Sequence, residues 1–150
     1  MTVTNTSENG DGISMSNAKV ELFDVALQGC SSCALYIRNP TSETTVVATR
    51  CEFSNSRTGA NVVGTPSLTS ATFKNCVFHD NAQLGIGGVG ATIHLHGEAT
   101  AIHSNGVGIR TIIEGCKVII HLPSHHNTSY NNRHEDRDTR EGGTITNVED

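Results

Sequence analysis

The sequence predicts an all-β chain wound as a stack of short strands, a parallel β-helix: a solenoid of five to six short coils, each roughly 24–26 residues long. Three observations carry that expectation. Two stretches, CEFSNSRTG at 51–59 and CVFHDNAQLG at 76–85, share the order Cys, one residue, Phe, then Asn, then Gly. Asn55, Asn81, Asn105 and Asn131 recur at nearly the same interval. Apolar residues alternate with polar ones instead of recurring at helical spacing.

The period extends to both sides. Stepping back from Asn55 by the same intervals reaches Gly29 and then Asn5. Eight positions after these stand Ile13, Ile37, Val63, Val89 and Ile113, while Thr139 occupies the last such place in a polar tail. A third column, Leu27, Phe53, Phe78 and Ile102, keeps almost the same spacing. Phe53 precedes its Asn by two positions, Phe78 and Ile102 by three, so one coil is expected to absorb a residue as a bulge. Val20 and Leu22; Val47, Thr49, Cys51 and Phe53; Ile93 and Leu95; and Val118, Ile120 and Leu122 each read as a short strand. Gly and Asn punctuate between them. Helical repeats have longer periods, roughly 33–47 residues. Several short strands per coil describe a β-solenoid. Coils about 4.8 Å apart make a stack of roughly 25–30 Å. Val, Ile, Phe and Cys form its inward columns. Asn55, Asn81, Asn105 and Asn131 are expected to form an inward column of amides, each bond contributing about 0.5–1.5 kcal/mol.

Composition suits a narrow core. Hydrophobic residues make up 35% of the 150, aromatics only 4%, and there are 15 glycines, so a core of large side chains is not expected. The net charge of −5, with no basic cluster free of neighbouring acids, argues against a nucleic-acid partner. No apolar run approaches the roughly 18 residues that cross a bilayer, and MTVTNTSENGDG lacks the basic and apolar regions of a secretory leader. Five cysteines, an odd count, favour reduced buried thiols and a cytosolic setting. Cys30 and Cys33 are read as turn or core thiols.

Residues 1–132 are assigned to the solenoid, with 1–12 as a loose polar N-terminus. Residues 133–150 are assigned to a charged tail, in which RHEDRDTRE is a solvated loop and GGTITNV a possible terminal strand carrying Ile145 and Val148. No capping helix is evident. Exposed terminal edges point to an end-to-end homo-oligomer, another partner at the edge or a larger parent chain.

FKNCVFHDNAQLGIGG (73–88), with fainter copies in TRCEFSNSRTGANVV (49–63) and ATAIHSNGVGI (99–109), resembles a repeat of the right-handed parallel β-helix family, the pectate-lyase-like superfold. The resemblance spans roughly 13–132. It implies a right-handed coil and raises the possibility of a polysaccharide lyase or glycoside hydrolase, with acids and a base clustered on one outer sheet.

The residues supply such a cluster sparingly. Asp24 and Asp80 are the only aspartates between positions 12 and 135, two coils apart and expected off register. Carboxylates acting across one glycosidic bond lie within about 10 Å. Among Arg38, Arg50 and Arg110, none has an evident acid neighbour. Asp80 and Arg50 stand as the candidate catalytic residues. Histidine is the unusual feature. His79 and His103 are equivalent by period, His94 and His96 share one face of a strand, and His121 is expected beside His96. These five are the candidate ligand-binding residues, with His125 and His126 on a following turn. Their spacing matches no zinc motif, so no metal or cofactor is assigned. Asn5-Thr6-Ser7 and Asn127-Thr128-Ser129 fit the glycosylation sequon. The primary expectation is a non-catalytic module that presents a polar face to a carbohydrate or a protein; the alternative is a polysaccharide-active enzyme.

Overall fold

The computed structural model describes residues 1–122 and 128–149, with the Leu122 side chain excepted. His125, His126 and Asn127 lie outside the described residues. Among the described residues there is no helix, and eighteen strands form three parallel six-stranded sheets. The first sheet holds β1 (Thr2–Val3), β4 (Ala26–Gln28), β7 (Glu52–Ser54), β10 (Val77–His79), β13 (Ala101–His103) and β16 (Ser129–Tyr130). The second holds β2 (Ile13–Met15), β5 (Cys33–Ile37), β8 (Thr58–Val63), β11 (Leu84–Val89), β14 (Val107–Ile112) and β17 (Glu135–Arg140). The third holds β3 (Lys19–Phe23), β6 (Thr44–Thr49), β9 (Thr69–Lys74), β12 (Thr92–His96), β15 (Lys117–Leu122) and β18 (Thr144–Glu149). Each coil contributes one strand to each sheet, so the chain is a β-solenoid of about six turns.

Corner chemistry explains why Asn, Asp and Gly punctuate the sequence. The turn leaving the first sheet passes through Gly29, Asn55, Asp80, Ser104 and Asn131, with φ of 66°, 52°, 55°, 59° and 52°. Asn and Asp tolerate this left-handed conformation better than other residues with a side chain. The residue after each corner points inward. Cys30, Ser56, Asn81, Asn105 and Asn132 thereby form a hydrogen-bonded column. The Cys30 amide donates to Ser56 Oγ at 3.0 Å, and the Ser56 amide to Asn81 Oδ1 at 3.1 Å. Asn81 Nδ2 donates to Asn105 Oδ1 at 2.9 Å and to the Phe53 carbonyl at 3.1 Å. Asn105 Nδ2 donates in turn to Asn132 Oδ1 and to the Phe78 carbonyl, both at 3.0 Å.

The expected column of Asn55, Asn81, Asn105 and Asn131 is therefore corrected at two places. Asn55 and Asn131 are corner residues, and Ser56 and Asn132 take the inward positions. The correction also removes the expected bulge. Leu27, Phe53, Phe78, Ile102 and Ser129 are in direct register, each three positions before its inward column member. The column eight positions beyond the asparagines is likewise out of register. Ile37 pairs with Val62, while Val63 pairs with Val89 and Val89 with Ile112, and these face partly outward. Ile113 sits at an exposed corner with φ 67°. In β6, Val46 and Ala48 fill the core and Val47 and Thr49 face outward, because the left-handed corner at Arg50 resets the alternation before Cys51 and Phe53.

The core holds more aromatic mass than composition suggests. Phe53 and Phe78 stack at 4.6 Å, and Phe73 meets both edge-on at 5.6 and 5.0 Å. All three are fully buried, beside Leu27, Ile93, Leu95, Ile102 and Ile120. Next to the amide column the coils approach too closely for a side chain. A Cβ at Gly85 would lie 2.7 Å from the Gly108 carbonyl oxygen and 2.9 Å from Asn105 Nδ2.

Both chain ends differ from expectation. Thr2–Val3 pair with Ala26–Leu27, so the N-terminal segment contributes a strand to the first coil. Residues 135–140, expected as a solvated loop, form a strand paired along its length with β14. Backbone ladder bonds are indifferent to side-chain type, and Asp138 accepts bonds from Arg110 at 2.7 Å and Arg140 at 2.9 Å. Residues 144–149 pair with β15, carrying Ile145 and Val148 on a strand as anticipated.

The amide column makes a testable distinction. Asn81→Ala removes the partners of the Phe53 carbonyl and the Ser56 amide and should destabilise the fold by about 2–4 kcal/mol. Asn55→Gly occupies a left-handed corner that glycine adopts freely and should change stability by less than about 0.5 kcal/mol. Urea unfolding of the two variants checks the register. Equal losses at the two positions would contradict it.

Candidate functional site

The first sheet positions a polar column. Alternation buries Leu27, Phe53, Phe78 and Ile102, so the next residue of each strand faces out. Register aligns Gln28, Ser54, His79, His103 and Tyr130 across five coils, with Ser54 fully buried and its hydroxyl donating to Glu52 Oε1 at 3.1 Å. The His79 and His103 rings stack at 5.4 Å, and His103 and Tyr130 stack at 5.4 Å. The parallel ladder alone produces this spacing.

Two carboxylates hold His79. Glu52, one coil back and in the neighbouring outward column, places Oε1 2.8 Å from Nε2. Asp80, at the corner that follows β10, places Oδ2 2.6 Å from Nδ1. Burial lowers the His79 pKa, but the hydrogen bonds to Asp80 and Glu52 outweigh it, and the net shift is upward. His103 shifts the other way: burial lowers its pKa and the charge on His79 lowers it further, against the pull of Asp80. Its Nδ1 lies 3.1 Å from Ser104 Oγ.

Shallow grooves flank the column. One, of about 310 Å³, is lined by Arg50, Cys51, Glu52, Asn75, Val77 and His79. The other, of about 520 Å³, includes Asn55, Arg57, Asp80 and Arg133. Arg50 has the acid neighbour that sequence alone did not reveal. Its guanidinium forks onto Asp24 at 2.8 and 2.9 Å, an exposed pair. That hydrogen bond holds the Asp24 carboxyl below its usual range. Asp24 and Asp80 sit at opposite edges of the first sheet, off register as expected. Arg38 lies over the Tyr36 ring at 5.9 Å, and Arg110 is engaged by Asp138.

The third sheet carries the other three candidate histidines. His94 and His96 project from the outer face of β12, and His121 from β15 beside them. His94 Nδ1 lies 2.8 Å from His121 Nε2, and the His96 and His121 rings stack at 3.8 Å. One ring nitrogen from each of the three falls within 4.8 Å of the others. These are the described residues best arranged to hold a metal. The five cysteines are free and buried. Burial raises the thiols of Cys33 and Cys116, and pushes Cys76 up to about 12. Such thiols remain protonated near neutral pH and are poor nucleophiles.

Stacked coils, parallel register and left-handed Asn and Gly corners agree with one family profile. The family described as the right-handed β-helix region matches residues 11–147. The chain belongs to the right-handed β-helix family. No curated protein and no solved structure matches it significantly. Membership establishes the architecture; chemistry rests on the sites themselves.

On this right-handed β-helix the sequence-derived histidines fall into two groups on two faces. His79 and His103 come together with Asp80, whereas Arg50 joins the same groove through Glu52 and His79. Glu52 and Tyr130 escaped the sequence reading. Glu52 precedes His79 by one coil plus two positions, so a diagonal search between coils would have found it. Tyr130 pairs with His103 one coil later, and a register fixed by Asn132 in place of Asn131 would have aligned it.

The opposed shifts of the two stacked histidines can be measured. A histidine with a raised folded pKa stabilises fully below its ordinary value of 6.5, and that contribution disappears as pH rises through the folded value. For His103 the contribution is full above 6.5 and is lost as pH falls through its lowered value. Glu52→Gln with Asp80→Asn should therefore cost more stability at pH 6 than at pH 8. His79→Gln should move the His103 titration upward in an NMR pH series. A stationary His103 would show that the two rings do not communicate.

Proposed function

We propose that this β-helix is a non-catalytic binding module whose first-sheet face receives a carbohydrate chain lying along the solenoid axis. The supporting observation is the column of Gln28, His79, His103 and Tyr130, with buried Ser54 filling the remaining rung, between two open grooves. Coils repeat at about 4.8 Å, so an extended polar chain meets the Gln28 amide, the stacked His79, His103 and Tyr130 rings and the carboxylates beside His79 at regular intervals. Enclosed pockets suit compact ligands; shallow grooves on a straight face suit an extended one. A protein partner is less favoured, since the centre of a protein interface is usually anchored by large apolar or aromatic side chains. Among the described residues the exposed large apolar side chains are Met1, Phe23 and Ile113, none of them on this column.

The purified chain on a glycan array should retain a polysaccharide or oligosaccharide and release no shortened or unsaturated products. His79→Ala and Tyr130→Ala should each weaken retention by at least about tenfold, the effect of losing roughly 1.4 kcal/mol. Failure to bind any glycan, or turnover of one, would overturn the reading.

One observation favours the alternative of a polysaccharide lyase or glycoside hydrolase. Glu52 and Asp80 lie on either side of one imidazole, and Arg50 lines the same groove. Both carboxylates are engaged by His79 and Arg50 by Asp24, which leaves the groove without an acid and base poised for exchange. On the enzymatic reading Asp80→Asn abolishes turnover.

A further inference from the structure

We propose that His94, His96 and His121 form a binding site for a zinc-class divalent cation on the third sheet, separate from the carbohydrate face. The donor set is the starting point. Three imidazoles offer one nitrogen each within 4.8 Å of one another. Neutral imidazole suits zinc, copper and nickel, whereas magnesium and calcium prefer oxygen. Three protein nitrogens plus an open fourth position is an established arrangement for zinc that keeps a water or ligand.

The scaffold fixes the triangle. His94 and His96 are two positions apart on β12 and share its outer face, and the register that pairs Leu95 with Ile120 brings His96 opposite His121. Between them, Ile93, Leu95 and Ile120 are fully buried and anchor both strands in the core. The backbone positions are therefore held before any ion arrives. Zinc–nitrogen bonds of about 2.0–2.1 Å at tetrahedral angles place ligand atoms roughly 3.3 Å apart. His94 Nδ1 and His121 Nε2 are at 2.8 Å, slightly closer than that, and the third nitrogen is within 4.8 Å. Rotation about side-chain bonds closes the difference. The ion turns the stacked His96 and His121 rings out of parallel so that their lone pairs converge, while the strands stay in place.

Charged neighbours set the conditions. Lys74 on β9 is in register with His96, and Glu149 on β18 ends the strand paired with β15. Lys74 is exposed and can extend into solvent. Because imidazole must be neutral to bind, protons compete with the ion, and affinity falls on acidification.

The test uses the full chain, stripped with a chelator, and zinc alone. Isothermal titration at pH 7.5 should show one high-affinity ion per chain, and cobalt substitution should give visible bands of a four- or five-coordinate site. His94→Ala, His96→Ala and His121→Ala should each weaken zinc binding by at least about tenfold, in line with the sensitivity of metal sites to lost contacts. His79→Gln and His103→Gln, on the other face, should leave it unchanged. Circular dichroism separates loss of a ligand from loss of fold. In the unaltered chain, zinc should shift the ring resonances of the three histidines and spare those of His79 and His103. No zinc uptake, or full uptake by a folded His94→Ala, His121→Ala double variant, would overturn the proposal. Glycan binding on the first sheet is scored separately, so either result stands without the other.

Discussion

The left-handed corner is the constraint on which the rest of the structure depends. At Gly29, Asn55, Asp80, Ser104 and Asn131 the chain leaves the first sheet at positive φ, and that single backbone state redirects the chain toward the second sheet. It also resets which side chains point inward. The residue after the corner enters the core: the Asn81 and Asn105 amides bond to the next coil and to a carbonyl of the preceding one, and the Ser56 hydroxyl accepts from Cys30 and donates to the Ser54 carbonyl of its own coil. A polar atom there is buried on every coil, so it must be paired on every coil. A mismatch at one rung would propagate to its neighbours, because each amide is at once a donor to the coil above and an acceptor from the coil below.

Around that column the core is filled by a few large rings and many small side chains. Phe53, Phe73 and Phe78 occupy the centre, where the first and third sheets face one another. Cys51 and Cys76 follow the corners at Arg50 and Asn75 and are buried there, as Val25 is after the corner at Asp24; their thiols donate to carbonyls at 3.4 Å. A thiol suits such a site because it packs as a small hydrophobe and tolerates imperfect hydrogen bonding. At the C-terminal edge, Glu135, Asp136, Arg137, Asp138 and Arg140 line β17. Charged side chains on an edge strand oppose pairing with a further strand, so the segment that composition marks as solvated serves the sheet as a boundary.

The period was legible in the sequence; the register was legible only in part. Phe53 and Phe78 are aligned correctly by their own spacing, yet they looked irregular when measured against Asn55. The reason is chemical. Asparagine suits both the left-handed corner and the inward column, so Asn55 and Asn81 are the same residue type in two different jobs. Serine at position 56 performs the inward role with its hydroxyl and gives no such signal. His79 and His103 read as equivalents because each stands two positions before its Asn, and Asn81 and Asn105 are both true members of the inward column, so the relation survives an error of one position elsewhere. The contact of Glu52 with His79 was hidden because it runs diagonally between outward columns, and strand alternation specifies only which face a residue takes. The strand at 135–140 was hidden because its stability comes from backbone bonds to β14, to which side-chain polarity is nearly irrelevant.

The two histidine groups show how the same side chain becomes two chemical objects on one scaffold. On the first sheet the corner that follows β10 carries an aspartate, and the neighbouring outward column carries a glutamate. His79 is therefore clamped by oxygen on both nitrogens, and its proton is held. On the third sheet His94 and His96 stand beside His121 among the described residues, so nitrogen faces nitrogen. Where carboxylates surround an imidazole the stable charge is a proton; where imidazoles surround one another, the proposed divalent cation would satisfy several lone pairs at once. Parallel stacking makes both outcomes possible, since it repeats a position every coil while leaving the residue at each repeat free to vary. The fold thus fixes where side chains meet, and the identity of the neighbour one coil away decides what the meeting does.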